Sequence, residues 1–301
     1  MILLTHETIR CRNINRPHVT AIAPVTWGTT YLVTTELLPS GHPLWSGELR
    51  ALPAGLIALA LGRTLPTGAW WWRSVVLGTL NIGAFFPLLF LAAYTLPGGV
   101  AGIFGAAGPL IVALLALALL GERVTARRIV WGLLAVLGVT AMVLGPERGL
   151  DPVGVAAGAG SAASMALGTV LSKRWAPPVG AVAFTGWQLT GGGLVMLPLT
   201  LGVEGAPPPL DAMALLGYGW LALVGGLLAY VLWFRGIGRM PAGVASFLPI
   251  LSPLVAAALG WAVLGEGLTP VQAVGFALAL VAVVAAQWRP RAARPPRVVA
   301  A

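Results

Sequence analysis

A chain of 301 residues that is 58% hydrophobic and 9% charged, with a mean hydropathy of +0.89, has too little polar surface to coat a soluble globule. It reads as an all-α integral membrane protein. The positive charges behind the net +9 are spread over six short segments rather than gathered into a nucleic-acid-binding face.

In chain order, residues 1–17 form a polar tail whose THETIRCRNINRPH stretch cannot be the apolar core of a signal peptide, despite AIAP at 21–24. Cys11 is the only cysteine, so an intramolecular disulfide and a zinc-ligand spacing are both absent. A bilayer core of about 30 Å needs roughly 20 apolar residues per helix. Ten segments meet that length: 18–38, 43–62, 74–94, 97–120, 126–145, 152–173, 179–202, 211–234, 241–264 and 269–288. Runs such as LIVALLALALL are continuous rather than alternating, so a membrane β-barrel is set aside. Residues 289–301 close the chain as a basic tail.

With these spans, 16 of the 18 Lys and Arg residues fall in the two tails and in the second, fourth, sixth and eighth connections, all on one side. Arg148 alone lies opposite, and Arg50 lies inside a span. The positive-inside rule therefore expects both termini in the cytoplasm. Trp70, Trp71, Trp72, Trp175 and Trp288 fall at the same helix ends and read as interfacial anchors.

The chain repeats itself. A shift of 144 carries Pro97, Gly99, Val100 and Ala101 onto Pro241, Gly243, Val244 and Ala245, Pro109 onto Pro253, and Glu122 and Thr125 onto Glu266 and Thr269. Gly28-Thr29 matches Gly168-Thr169 at 140, and Arg50 falls opposite Gln188 at 138. Each unit holds five helices, an odd number, so the second enters the membrane from the opposite side. The expected architecture is ten helices in two inverted five-helix repeats, 18–145 and 146–288.

The motifs P-x-GVA, a mid-helix proline and LGE-x-x-T, duplicated in order, resemble the EamA-type branch of the drug/metabolite transporter superfamily. The stretches that carry the likeness are WGTTYL at 27–32, LPGGVAGIFGAAGPLIVALLALALLGE at 96–122 and MPAGVASFLPILSPLVAAALGWAVLGE at 240–266. The resemblance implies an exporter of amino acids or other small metabolites, multi-pass in a bacterial cytoplasmic (inner) membrane, with a cavity between its halves and no cofactor. Protons as coupling ion are part of the same expectation.

The residues point to the same mechanics. Pro109 removes a helical hydrogen bond and frees the Gly105 carbonyl, while Pro253 frees Pro249 and Pro249 frees Ala245. Interrupted segments at matching positions mark a midplane site. Arg50 lies about 10 Å deep by helical rise and would cost about 2.5–3.5 kcal/mol without water or a partner. Glu48, two residues away, points elsewhere, which leaves Glu36 as the expected partner. Arg50 either gates the outer side or receives an anionic group of the solute; snorkelling outward is the bland alternative. Trp27, Tyr31, Asn81, Phe85, Trp187, Gln188, Trp220 and Tyr230 are the cavity candidates, with ordinary packing the alternative for each. Glu48 and Glu36 are the titrating candidates for proton coupling, and facilitated diffusion is equally compatible. Glu122 and Glu266 read as loop-end acids.

Competing classes find little support. His6, His18 and His42 form no ligand set, no metal site is expected, and no G-x-x-x-x-G-K-[ST] loop occurs, so an enzyme and an ATP-driven pump recede. A non-transporting assembly subunit remains the alternative. Membrane lipid is an expected partner, and small-residue helix faces leave a homodimer open.

Overall fold

The computed structural model describes residues 16–96, 101–143, 151–265, 267 and 269–287, and every regular element among them is helical. Residues 1–15 and 288–301, with Cys11 and Trp288 among them, lie outside the described residues, as do Pro97, Gly98, Gly99, Val100, Arg148 and Glu266. The elements are α1 (Arg16–Gly28), α2 (Thr30–Leu37), α3 (Pro43–Gly62), α4 (Trp70–Gly78), a π-helical segment (Thr79–Gly83) and α5 (Phe85–Thr95). Then follow α6 (Ala101–Leu120), α7 (Ala126–Val143), α8 (Pro152–Trp175), α9 (Ala181–Glu204), α10 (Ala212–Trp220), a second π-helical segment (Leu221–Leu228) and α11 (Ala229–Ile237). The last are α12 (Ala242–Ala245), a 3₁₀ turn (Leu248–Ile250), α13 (Leu251–Val263) and α14 (Pro270–Gln287).

The duplicated LGE-x-x-T motif has a local cause. Its glycines, Gly121 and Gly265, end their helices in the left-handed region at φ 66° and 68°, where a side chain is disfavoured. Its threonines open the next helices. The Thr125 hydroxyl accepts from Arg128 N at 3.4 Å. Thr269 and Gln272 cap each other, with Thr269 N donating to Oε1 at 2.9 Å and Gln272 N donating to Oγ1 at 3.3 Å. Asp151 and Asp211 cap α8 and α10 through bonds of 2.7 Å from Val153 N and Ala214 N.

Eight helical stretches among the described residues are long and apolar enough to cross a membrane. Two of the ten expected spans do not meet that standard, for different reasons. The first is interrupted between α1 and α2, where the Thr26 and Thr29 hydroxyls bond back to the Ala23 and Thr26 carbonyls at 2.7 Å each. The seventh, α9, has 24 residues and could reach about 36 Å, but Thr185, Gln188, Thr190 and a triple glycine dilute its hydropathy. The third span starts earlier than expected, at Trp70.

The mid-helix prolines also differ from expectation. Pro109 is accommodated inside α6, which runs unbroken from Ala101 to Leu120 past Gly105. In the second copy Pro249 and Pro253 remove two successive rungs four residues apart, and the chain divides into α12, the 3₁₀ turn and α13. One missing rung is tolerated; two are not.

Corresponding helices pack on one another. A Cβ on Gly55 would fall 2.5 Å from Thr190 N, one on Gly62 would meet Ala183, and one on Gly193 would meet Leu52, so α3 and α9 cross antiparallel with backbones in near contact. The Gly55 and Gly193 contacts exchange under the 138-residue shift. In α7 and α14 the pairs are Gly138 with Ala279 and Gly275 with Met142, antiparallel again. Around these contacts α1 packs against α11 and α13, and α8 packs against α5 and α6. The largest buried cluster, with Ile82, Phe86, Phe184, Tyr230 and Trp233, lies between elements of both copies.

Candidate functional site

Both π-helical segments fall at the middle of the third helix of their repeat, and residue 81 of the first corresponds to residue 225 of the second. A π turn widens the helix and leaves carbonyls off the regular ladder, a geometry frequent at functional sites. Each segment faces a buried polar side chain from the second helix of the other repeat.

In one contact, Asn81 Nδ2 donates to Gln188 Oε1 at 2.6 Å and to the Ser172 hydroxyl oxygen at 3.4 Å. Asn81 is buried and Gln188 fully so, with Gln188 Nε2 lacking an acceptor. Gly168 makes room: a Cβ there would lie 2.3 Å from Asn81 Oδ1.

In the mirror contact, Arg50 is 8% exposed. Its Nη2 donates to the Gly225 carbonyl at 3.1 Å and its Nη1 to the Thr30 hydroxyl oxygen at 3.3 Å, while Nε has no acceptor. The guanidinium carbon lies 5.4 Å from the centroid of the Phe86 ring. The Gly225 carbonyl also accepts from Trp27 Nε1 at 3.0 Å. Trp27 in turn contacts Tyr230 and Trp233, with ring centroids 5.1 and 5.6 Å away. Glu48 is 2% exposed, and neither carboxyl oxygen has a hydrogen-bond partner. It faces Gly193 of α9, not Arg50.

Several expectations change here. The Glu36 carboxylate is exposed and does not pair with Arg50, whose partners are Gly225 and Thr30. Tyr31, on the short helix α2, is 47% exposed. Trp220 is 42% exposed and donates to the Thr29 hydroxyl oxygen at 2.9 Å. Trp187 belongs to the largest buried cluster. Its indole donates to the Thr64 carbonyl at 2.7 Å and its ring packs on Trp70, near the arginine-bearing end. Phe85 is half-buried against Phe86. Trp27, Asn81, Gln188 and Tyr230 remain buried or partly buried at the two π segments. The reading missed Gly225, although the 144-residue register pointed to it as the counterpart of Asn81.

Glu122 is more than a loop-end acid. Its Oε1 lies 3.2 Å from Lys173 Nζ and accepts from Ala242 N at 3.1 Å; its Oε2 lies 3.9 Å from Arg128. Lys173 also donates to the Met240 carbonyl at 2.5 Å. The end of α6 is thereby tied to α8 and to the start of α12. Burial tends to raise the Glu122 pKa, but the Ala242 N–H bond and the Lys173 charge outweigh it and hold it below the ordinary value. An open cavity of about 510 Å³ adjoins this cluster, lined by Arg123, Arg128, Lys173 and Arg239 as well as Glu122. Arg73, beside Trp70, Trp72 and Trp175 at 5.4–5.5 Å, makes the aromatic anchor at the same end.

The family model described as EamA-like transporter family matches twice, over residues 19–144 and 152–286. The chain belongs to the EamA-like transporter family. This EamA-like chain is 45% identical over 267 residues to Protein PecM of Dickeya dadantii, covering 88% of the chain and 90% of that protein. It is 26% identical to the inner membrane transporter YedA of Escherichia coli strain K12, covering 86% of each. A solved structure described as "Crystal structure of protein" superposes with a TM-score of 0.75 at 20% identity, covering 89% of this chain and 95% of that one, which supports the fold alone. Family membership places the chain among multi-pass membrane transporters of small solutes.

Proposed function

We propose that this EamA-like chain is a secondary transporter that exports amino acids or related small metabolites across a bacterial cytoplasmic membrane by alternating access, in exchange for protons. The observation that carries the reading is the antiparallel packing of corresponding helices, α3 on α9 and α7 on α14. Two like halves facing opposite ways can exchange inward-open and outward-open shapes by rocking about a midplane solute. Ten crossings in two inverted five-helix halves, 18–145 and 146–288, with both tails cytoplasmic, fit that packing and the one-sided arginines.

The solute lies between the two π segments in this reading, against Trp27, Asn81, Gln188 and Tyr230. Glu48 carries the proton. It is buried inside a span with no hydrogen-bond partner for either carboxyl oxygen, which makes it the acid placed to exchange a proton when the site opens to water on one side. Glu36, by contrast, is exposed.

Purified protein in proteoliposomes, given radiolabelled amino acids and an imposed pH gradient, tests both parts. Expected are gradient-accelerated flux in the native chain and, in Glu48→Gln, flux that persists but ignores the gradient. Flux indifferent to the gradient in the native chain would return the mechanism to facilitated diffusion. An inert chain across the panel removes amino acids as the solute class.

A further inference from the structure

We propose that Arg50 receives the anionic group of the transported solute, so that the solute class is small organic carboxylates with a partly apolar body. The proposal rests on the transporter reading and deepens it.

Arg50 holds a charge that its surroundings do not neutralise. Both acceptors of its guanidinium, the Gly225 carbonyl and the Thr30 hydroxyl, are neutral, and its Nε is unpartnered. Among the described residues, the ion pairs are those of Glu122, at the far end of the molecule. Glu48 faces Gly193, and Glu36 is exposed. A buried charge without a counter-ion is unfavourable, and such residues in membrane spans mark solute paths.

The second repeat supplies an internal comparison. Gln188 occupies the register position of Arg50, and Asn81 that of Gly225. There a neutral donor and a neutral acceptor suffice to join a second helix to a π segment, at 2.6 Å. Packing therefore requires hydrogen bonding at this position and does not require a charge. The charge of Arg50 is surplus to the fold, and a bound anion gives it a use.

The surroundings define the rest of the ligand. Phe86, Trp27, Tyr230 and Trp233 supply an apolar aromatic wall, and Gly225 offers no side chain between that wall and the guanidinium. A planar guanidinium fork matches a carboxylate through paired charge-assisted hydrogen bonds. The cavity of about 510 Å³ at the arginine-bearing end has the same sign preference. Arg123, Arg128, Lys173 and Arg239 line it with Glu122 as the one acid, which raises the local concentration of anions.

The test uses two matched probes, 3-phenylpropionate and phenethylamine, which share the ring and differ in charge. Their binding to the purified full chain is measured by equilibrium dialysis, and their flux in proteoliposomes. The native chain is expected to favour the anion by at least about ten-fold, a difference of roughly 1.4 kcal/mol. Arg50→Gln, which copies the side chain at the mirror position and retains a neutral donor, should bring the ratio to about one. Arg50→Lys keeps the charge without the fork, so it should bind the anion several-fold more weakly than the native chain and still prefer it. That second variant serves if the first fails to fold. No binding of 3-phenylpropionate to the native chain, equal affinity for the amine, or a ratio unchanged in Arg50→Gln overturns the anion site. Arg50-dependent binding of the anion without flux of either probe would leave the site standing and remove the transporter reading. Flux of phenethylamine unaffected by Arg50→Gln would do the reverse.

Discussion

Gln188 has no exposed surface, and the 2.6 Å bond it accepts from Asn81 links the two repeats inside the helical bundle. Gln188→Leu leaves the Asn81 amide with Ser172 at 3.4 Å alone. The expected cost is about 1–2 kcal/mol, read as a lower unfolding temperature in detergent. Adding Asn81→Leu should recover part of the loss, because two apolar groups leave no orphaned donor. Glu122 is expected to behave differently, since its folded pKa lies below the ordinary 4.5. A depressed carboxyl contributes stability that is fully present above its unfolded pKa and is lost as pH falls through the folded one. Unfolding temperature followed from neutral pH into the acid range should therefore drop below about pH 4.5 in the native chain, and Glu122→Gln should lack that component. The sequence made Arg50, Asn81 and Gln188 legible as polar residues in apolar runs. It hid their partners: the 144-residue register aligns Gly225 with Asn81, but Gly225 and Thr30 act through a backbone carbonyl and a hydroxyl whose facing helix the register does not give. Lys173 was similarly hidden: 51 residues separate it from Glu122, and only the packing of α8 on α6 brings them together.

At the scale of helices, glycine serves two unlike purposes here. Gly55 faces the Thr190 backbone, so Gly55→Val should push α3 off α9 and abolish a monodisperse peak in size-exclusion chromatography. Gly105 meets nothing within 4 Å, so Gly105→Ala should leave that peak intact and raise the unfolding temperature slightly, as alanine favours helix. An intact peak for Gly55→Val would contradict the close crossing. The repeat motifs were legible because LGE-x-x-T works locally, with a left-handed glycine ending one helix and a threonine starting the next. The continuity through Pro109 was not, since the sequence marks the aligned prolines Pro109 and Pro253 alike as breaks. The additional Pro249, which corresponds to Gly105, makes the difference by removing a second rung.

For the whole molecule, topology gives a direct test. Cys11 is the single cysteine, so an impermeant maleimide should label the native chain in inside-out vesicles and leave it unlabelled in intact cells. Labelling of intact cells would reverse the orientation. The class of fold was readable from hydropathy and the repeat. The number of spans passing a length-and-hydropathy standard was not, because the first span is interrupted between α1 and α2, and Thr185, Gln188, Thr190 and the triple glycine lower the hydropathy of α9. Finally, the Gly225 carbonyl is shared by Arg50 and the Trp27 indole. An occupant that draws the guanidinium aside leaves the indole alone on that oxygen and alters its polar environment. Among the 12 tryptophans, Trp27 is thereby wired to the filling of the site, and the emission lost in Trp27→Phe is an optical gauge of occupancy built into the chain.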